Sequence, residues 1–96
     1  MTAELPFNVA SYQRTPTFSE ETIPDGLRKD HSTKDGTWGL VHVEEGELLF
    51  VVTDPRRPSI RRVLTAAKGP GLVEPTLLHH IELLGPVRFY VEFFKA

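Results

Sequence analysis

The sequence predicts an all-β domain, a jelly-roll barrel of about eight short strands. Three observations predict it. Eight prolines and seven glycines cut ninety-six residues into pieces too short for a stable helix. The stretches between them are rich in Val, Leu, Phe and Tyr, as strands are. Turn chemistry recurs at close spacing, at Asp35-Gly36, Glu45-Gly46, Lys68-Gly69-Pro70-Gly71 and Gly85-Pro86. A jelly roll manages its sheet edges within so small a chain. The length allows one domain over residues 1–96, with an extended lead-in over 1–25 and the barrel over 26–96.

The lead-in is broken by Pro6, Pro16 and Pro24, and proline cannot donate to a ladder. Ser19 to Thr22 has room for one helical turn before Pro24 stops it. Leu27 to Thr33 reads as the first barrel strand, with Leu27, Lys29 and His31 on one face because strand side chains alternate. Asp35-Gly36 turns it into a strand from Thr37 to Glu44, since both residues tolerate positive φ. Glu45-Gly46 marks the next turn. Glu47 to Thr53 is apolar on both faces and so reads as a central strand. After the Asp54 to Pro58 loop, Ser59 to Leu64 reads as an edge strand. Leu72 to Glu74 is brief and ends at Pro75. Leu77 to Leu84 follows, Gly85-Pro86 turns it back, and Val87 to Phe94 closes the domain with Val87, Phe89, Val91 and Phe93 facing the core.

Composition excludes several functions. The net charge is -2 with both signs interspersed, which argues against nucleic acid as a partner. The one basic cluster, Arg56-Arg57 and Arg61-Arg62, reads as a charged loop and a solvated strand edge rather than an anion site. There is no cysteine, hence no disulfide, thiolate metal site or cysteine nucleophile. Met1 to Pro6 lacks the marks of a signal peptide. The longest strongly apolar run, Leu48 to Val52, is far short of the ~20 residues of a membrane helix. These features place the chain in the cytoplasm and off the membrane. No Gly-rich loop opens a helix, so no nucleotide cofactor is expected.

The candidate chemistry lies at two histidines. His31 shares a strand face with Leu27, and His79 shares one with Ile81 and Leu83, so both imidazoles look inward if those aliphatics do. Two neutral imidazoles and a carboxylate would suit a divalent Zn, Fe, Mn or Ni ion. Glu82 is the first candidate carboxylate, with Glu92 the alternative and Glu74 a third; Glu82 has the wrong strand parity relative to His79 unless a bulge intervenes, and Glu92 needs the face opposite Val91 to line the pocket. Set against this, both histidines could be hydrogen-bonded structural residues. His80 points away from His79. Trp38 either walls the pocket and contacts a ligand or serves as a packing anchor. Lys34 either holds an anion beside His31 or lies in solvent. Lys34, Trp38 and Glu74 form the candidate ligand-binding set.

At these segments the chain resembles the small YeaR/TehB-like cupin domains, found alone or fused ahead of a methyltransferase in some tellurite-resistance proteins. The resemblance rests on His31-x-Thr33-Lys34-x-Gly36-Thr37-Trp38-Gly39, on Glu45-Gly46-Glu47-Leu48 and on Val73-Glu74-Pro75 followed by His79 and Ile81-Glu82. Arg14-Thr15-Pro16 and Phe93-Phe94 extend it over nearly the whole chain. It implies a cupin-like double-stranded β-helix with its pocket at His31 and His79, and a link to tellurite or nitrate and nitrite stress. Metal cupins carry His-x-His and then a glutamate in their first motif; here Thr33 and the Trp38 to Leu40 stretch stand in those places. No methyltransferase segment is present, so the resemblance implies no S-adenosylmethionine for this chain.

The expected function is a binding module that holds a small polar or anionic ligand, with or without a metal. The alternatives are a metal-dependent cupin enzyme of oxygenase or isomerase type and a dimerising structural domain with a vestigial pocket. Whether the chain catalyses anything is left open. A homodimer is expected by fold analogy.

Overall fold

The computed structural model describes residues 4–96. The leader reading of Met1 to Pro6 therefore lies partly outside the described residues. Among the described residues six strands run in chain order: β1 Ala10–Arg14, β2 Phe18–Ser19, β3 Trp38–Val52, β4 Ile60–Thr65, β5 Gly71–Val73 and β6 His79–Lys95. Every pairing is antiparallel. The main order is β1-β6-β3-β4, with β2 added on β6 and β5 on β3. The fold is all-β, but the expected closed barrel gives way to a single sheet that is not closed. Its terminal strands, β1 and β4, each pair on one side only and not with each other.

The expected eight short strands are fewer and longer because two of the predicted turns lie within strands. β3 and β6 pair along nearly their whole lengths, from Trp38 opposite Phe94 to Val52 opposite His79. Glu45-Gly46 and Gly85-Pro86 meet in the middle of this ribbon, where Gly46 stands opposite Val87. The pairing is interrupted there by bulges between Val43 and Glu45 and between Gly46 and Leu48. A bulge adds a residue without ending the strand, and it switches which parity faces inward. Val41 and Val43 are buried before it; Leu48, Phe50 and Val52 are buried after it. A glycine next to polar residues is the same local signal for a bulge as for a turn, so the sequence pattern alone does not separate them.

The predicted strand from Leu27 to Thr33 is also replaced. Pro24 holds φ at -62°, and Asp25–Arg28 forms one turn of 3-10 helix, with the Leu27 amide donating to Pro24 O at 3.0 Å. His31 makes only an isolated bridge to His79. Ser19 to Thr22 does close a single turn, with the Thr22 and Ile23 amides donating to Ser19 O. Ser59 to Leu64 lies where an edge strand was expected, as β4, with Ile60, Arg61 and Arg62 exposed.

The sheet wraps one apolar core of Val41, Val43, Leu48, Phe50, Val52, Leu64, Val73, Ile81, Val87, Phe89 and Val91. Leu48, Leu64 and Phe89 are fully enclosed. Each such side chain stabilises the fold by roughly 1.5–3 kcal/mol relative to exposure. Phe18, Ile23 and Leu27 pack onto this core from outside the long ribbon, which draws the 3-10 turn against β6.

The crossing of the two long strands depends on the absence of a side chain at Gly46. Its φ is +73°, and a Cβ there would lie 2.1 Å from Pro86 O. Gly36 has φ +80° but open space around it. Gly46→Ala is therefore expected to lose about 3 kcal/mol or more of stability, and Gly36→Ala about 1 kcal/mol. Urea denaturation of the two variants checks the difference; equal losses would remove the steric argument.

Candidate functional site

The start of β6 and the segment from Lys29 to Thr37 are laced together. His31 and His79 exchange backbone hydrogen bonds, each amide 2.9 Å from the other carbonyl. The Thr76 amide donates to Thr33 O at 3.0 Å, and the Thr33 hydroxyl donates to Thr37 O at 2.7 Å. The Thr37 amide donates to Lys34 O at 3.0 Å, closing the tight turn at Asp35-Gly36. The structure thus brings the two histidines together: their rings meet edge-on at 4.2 Å between centroids.

A second set of contacts holds this region from the other side. The Asp54 carboxylate, 4 % exposed, accepts from the Arg56 amide, from Arg56 Nε and Nη2, and from the Leu78 amide, each at 2.9 Å. Arg56 Nη2 also donates to Thr76 O at 2.8 Å. Thr76 has a φ of +67°, a left-handed conformation that a β-branched residue rarely adopts, and it is pinned at both its amide and its carbonyl. The Arg56 guanidinium and the two amides hold the Asp54 carboxyl well below the usual carboxylate range. Sequence reasoning passed over this clasp. Its signal was Asp54 two residues before Arg56, the spacing at which an Asp side chain caps the next turn.

The cavity beside the histidines has a volume of about 380 Å³. Leu27, Val41, Val73, Ile81, Val91 and Phe93 form its apolar walls, and Ser32, Thr33, Lys34 and Thr37 stand on the His31 side. Of the candidate ligand-binding set, Lys34 lines the cavity. Trp38 and Glu74 are not among its lining residues: Trp38 is half-buried in β3 opposite Phe94, and Glu74 lies 3.4 Å from Arg57 Nε.

The expected metal set of His31, His79 and Glu82 is not assembled, and neither is the alternative with Glu92. Among the described residues no group of three His, Asp or Glu side chains is placed to hold a metal ion. The reason is strand alternation. His79 and Ile81 face inward, and His80 and Glu82 face the other way. There Glu82 contacts His80 Nε2 at 2.8 Å and Arg61 at 3.6 Å. Glu92 is engaged by His42 Nε2 at 2.9 Å on its own face.

The two adjacent histidines carry opposite electrostatics. His79 is 5 % exposed, and burial pushes its imidazole down to about 4, so it is neutral near pH 7. Its Nδ1 lies 2.9 Å from Leu77 O; a carbonyl only accepts, so Nδ1 carries the proton and Nε2 the lone pair. His31 Nδ1 likewise donates to Lys29 O at 2.9 Å. His80 lies between Glu82 at Nε2 and Asp30 at Nδ1, both at 2.8 Å. Two carboxylate acceptors require two N–H donors, which is the imidazolium form. The Glu82 hydrogen bond, followed by that of Asp30, raises the His80 pKa above its ordinary value. Hydrogen bonds from His80 lower both carboxyls in turn.

A family model described as the TehB-like domain matches residues 13–91. A Haemophilus influenzae protein named "Probable S-adenosyl-L-methionine-dependent methyltransferase TehB" is 30% identical over 74 residues, which cover 76% of this chain and 26% of the relative. A second strain of that species has a relative of the same name, 28% identical over the same shares. The chain therefore spans about a quarter of the length of the curated relatives it matches. The crystal structure of TehB from Haemophilus influenzae superposes with a TM-score of 0.81 at 26% identity, covering 91% of this chain and 31% of that one. A crystal structure of an Escherichia coli (strain K12) protein superposes at 0.85 with 22% identity, covering 99% of this chain and 98% of that one, and so shares the fold.

These matches and the geometry of the site overturn three expectations. The metal-assisted, stress-linked cupin module, with its metal-enzyme and vestigial-domain alternatives, gives way to a TehB-like domain, whose relatives are named as methyltransferases. The expected Zn, Fe, Mn or Ni cofactor has no assembled ligand set among the described residues. The expectation of no S-adenosylmethionine is corrected by relatives named for dependence on it. That expectation rested on the absence of a methyltransferase segment from the 96 residues.

Two predictions follow from the geometry. Asp54→Ala leaves Arg56 and the Leu78 amide without their acceptor, and a loss of stability is expected in denaturant titration. The second concerns pH. His79 has a lowered folded pKa, so its contribution is fully present above about 6.5 and is lost as pH falls toward about 4, by on the order of 3 kcal/mol. His80 has a raised folded pKa, so its contribution is fully present below about 6.5 and is lost as pH rises through the folded value. Thermal denaturation from pH 4 to 9 should show His79→Gln flattening the acid side and His80→Gln the alkaline side. Unchanged profiles would remove these assignments.

Proposed function

The chain belongs to the TehB-like domain family, and on that premise we propose that it is a methyltransferase-related domain that holds a small methyl acceptor in the cavity beside His31 and His79. One observation carries this reading: a cavity of about 380 Å³, walled by aliphatic and aromatic side chains, has a buried neutral imidazole on its lining. Apolar walls with a few placed polar groups are the usual form of a small-molecule site.

S-adenosylmethionine enters this reading through the relatives' names. The cavity itself does not suit that cofactor. Its sulfonium and ammonium groups are cations, the lining includes Lys34, and no Asp or Glu lines the space to balance them. We place the acceptor there, with the methyl donor held by a methyltransferase portion of the same polypeptide or of a partner.

The test is a titration of the chain, followed by amide NMR, with a panel of small compounds bearing O–H, N–H or S–H groups. Members of the panel are expected to shift the amides of His31, Val41, Ile81 and Val91, and Ile81→Trp, which fills the cavity, is expected to abolish the shifts. The binders are then offered to Haemophilus influenzae TehB with S-adenosylmethionine, and their methylation is expected. A panel in which nothing shifts these amides, or a set of binders that the methyltransferase leaves untouched, would overturn the reading.

A further inference from the structure

His79 has a polar atom with no partner in the described protein. Its Nδ1 is committed to Leu77 O, and Nε2 makes no hydrogen bond with any described residue. Yet every sealed side-chain nitrogen or oxygen among the described residues is hydrogen-bonded. Nε2 is therefore not sealed. His79 is 5 % exposed, lines the cavity and packs on Phe50 with 5.6 Å between ring centroids. The cavity is the open space that His79 lines, together with His31, whose ring meets it edge-on at 4.2 Å between centroids. A lone pair held at the edge of an apolar space favours a guest that brings a hydrogen to it.

We infer that the cavity selects uncharged molecules with a compact apolar body and one O–H or N–H donor directed at His79 Nε2, and that it rejects their methylated forms. This rests on the reading of the chain as a methyl-acceptor domain and names the acceptor class. The walls supplied by Val41, Val73, Ile81, Val91 and Phe93 match the apolar body. With Lys34 at the lining and no carboxylate there, a cation is disfavoured. Replacing the donor hydrogen by a methyl group removes the hydrogen bond and presents a bulkier carbon to the lone pair. The methylated form leaves Nε2 unpaired inside an apolar space. A site built to bond a hydroxyl discriminates strongly against the analogue that lacks it. The same nitrogen thus distinguishes an acceptor from its product without touching the methyl donor.

Phenol and its methyl ether, anisole, differ in this one feature and are the probes. Titration of the whole chain at pH 7, read at the amides of Ile81 and Val91, is expected to show phenol binding at least about tenfold more tightly than anisole. The nitrogen resonance of His79 Nε2 is expected to move with phenol and to stay in place with anisole, a readout that needs no variant. His79→Phe keeps a ring in the wall and is expected to bring the two affinities together. Equal affinities in the native chain, or an Nε2 resonance that ignores phenol, would overturn the inference while leaving the acceptor cavity in place. If neither probe binds but other members of the acceptor panel do, the class is wrong and the cavity reading stands; if nothing in the panel binds, both fall.

Discussion

The pairing of β3 with β6 is the constraint on which the remaining structure depends. Thirteen register pairs run from Trp38 opposite Phe94 to Val52 opposite His79, broken by the bulges on either side of Glu45 and Gly46. Each long strand carries two segments of inward-facing residues, so one ribbon supplies most of the core from both sides of the bend. The short strands add to that ribbon: β1 and β2 on β6, β4 and β5 on β3. Long-range antiparallel pairing of this kind ties residues distant in the chain, and it sets His79 at the ribbon's end, where the Lys29 to Thr37 segment meets it.

At that end, stability and binding make opposite demands on one side chain. A buried imidazole must stay neutral, which weakens the fold in acid, and the neutral ring is what leaves Nε2 with a lone pair. The lacing around it is dense: Asp54, Arg56 and Thr76 fix the chain before His79, and Thr33 fixes the segment beside it. Thr76 holds an unfavourable backbone conformation within this net, which the surrounding hydrogen bonds offset.

Much of this was legible in the sequence. The spacing of prolines, glycines and β-rich stretches pointed to an all-β chain, and the alternation of Val87, Phe89, Val91 and Phe93 marked a face that is indeed largely buried. The motif stretches around His31 and His79 pointed to the TehB-like family, which the match over residues 13–91 shows. Other features were not legible, for physical reasons. Glu45-Gly46 and Gly85-Pro86 look like turns because a bulge and a turn use the same residues; only the partner strand separates them. Leu27 to Thr33 alternates like a strand, but Pro24 and the pull of Leu27 toward the core favour a 3-10 turn. The bonds from Leu78 to Asp54 and from His80 to Asp30 join residues 24 and 50 positions apart, a separation that carries no local signal. The metal reading failed on alternation: Glu82 stands one parity off His79, and no bulge intervenes to bring it round.

The neighbouring histidines give β6 a means of reporting its own alignment. His79 is neutral among aliphatics, and His80, one position along, is cationic between Asp30 and Glu82. A slip of the strand by a single residue would turn every side chain to the opposite face. It would carry His80 and Glu82 into the apolar interior and leave Asp30 without its partner. Apolar side chains alone penalise such an error by lost contacts; this pair adds a penalty of sign, so the dipeptide acts as a proofreading mark for the strand that organises the fold.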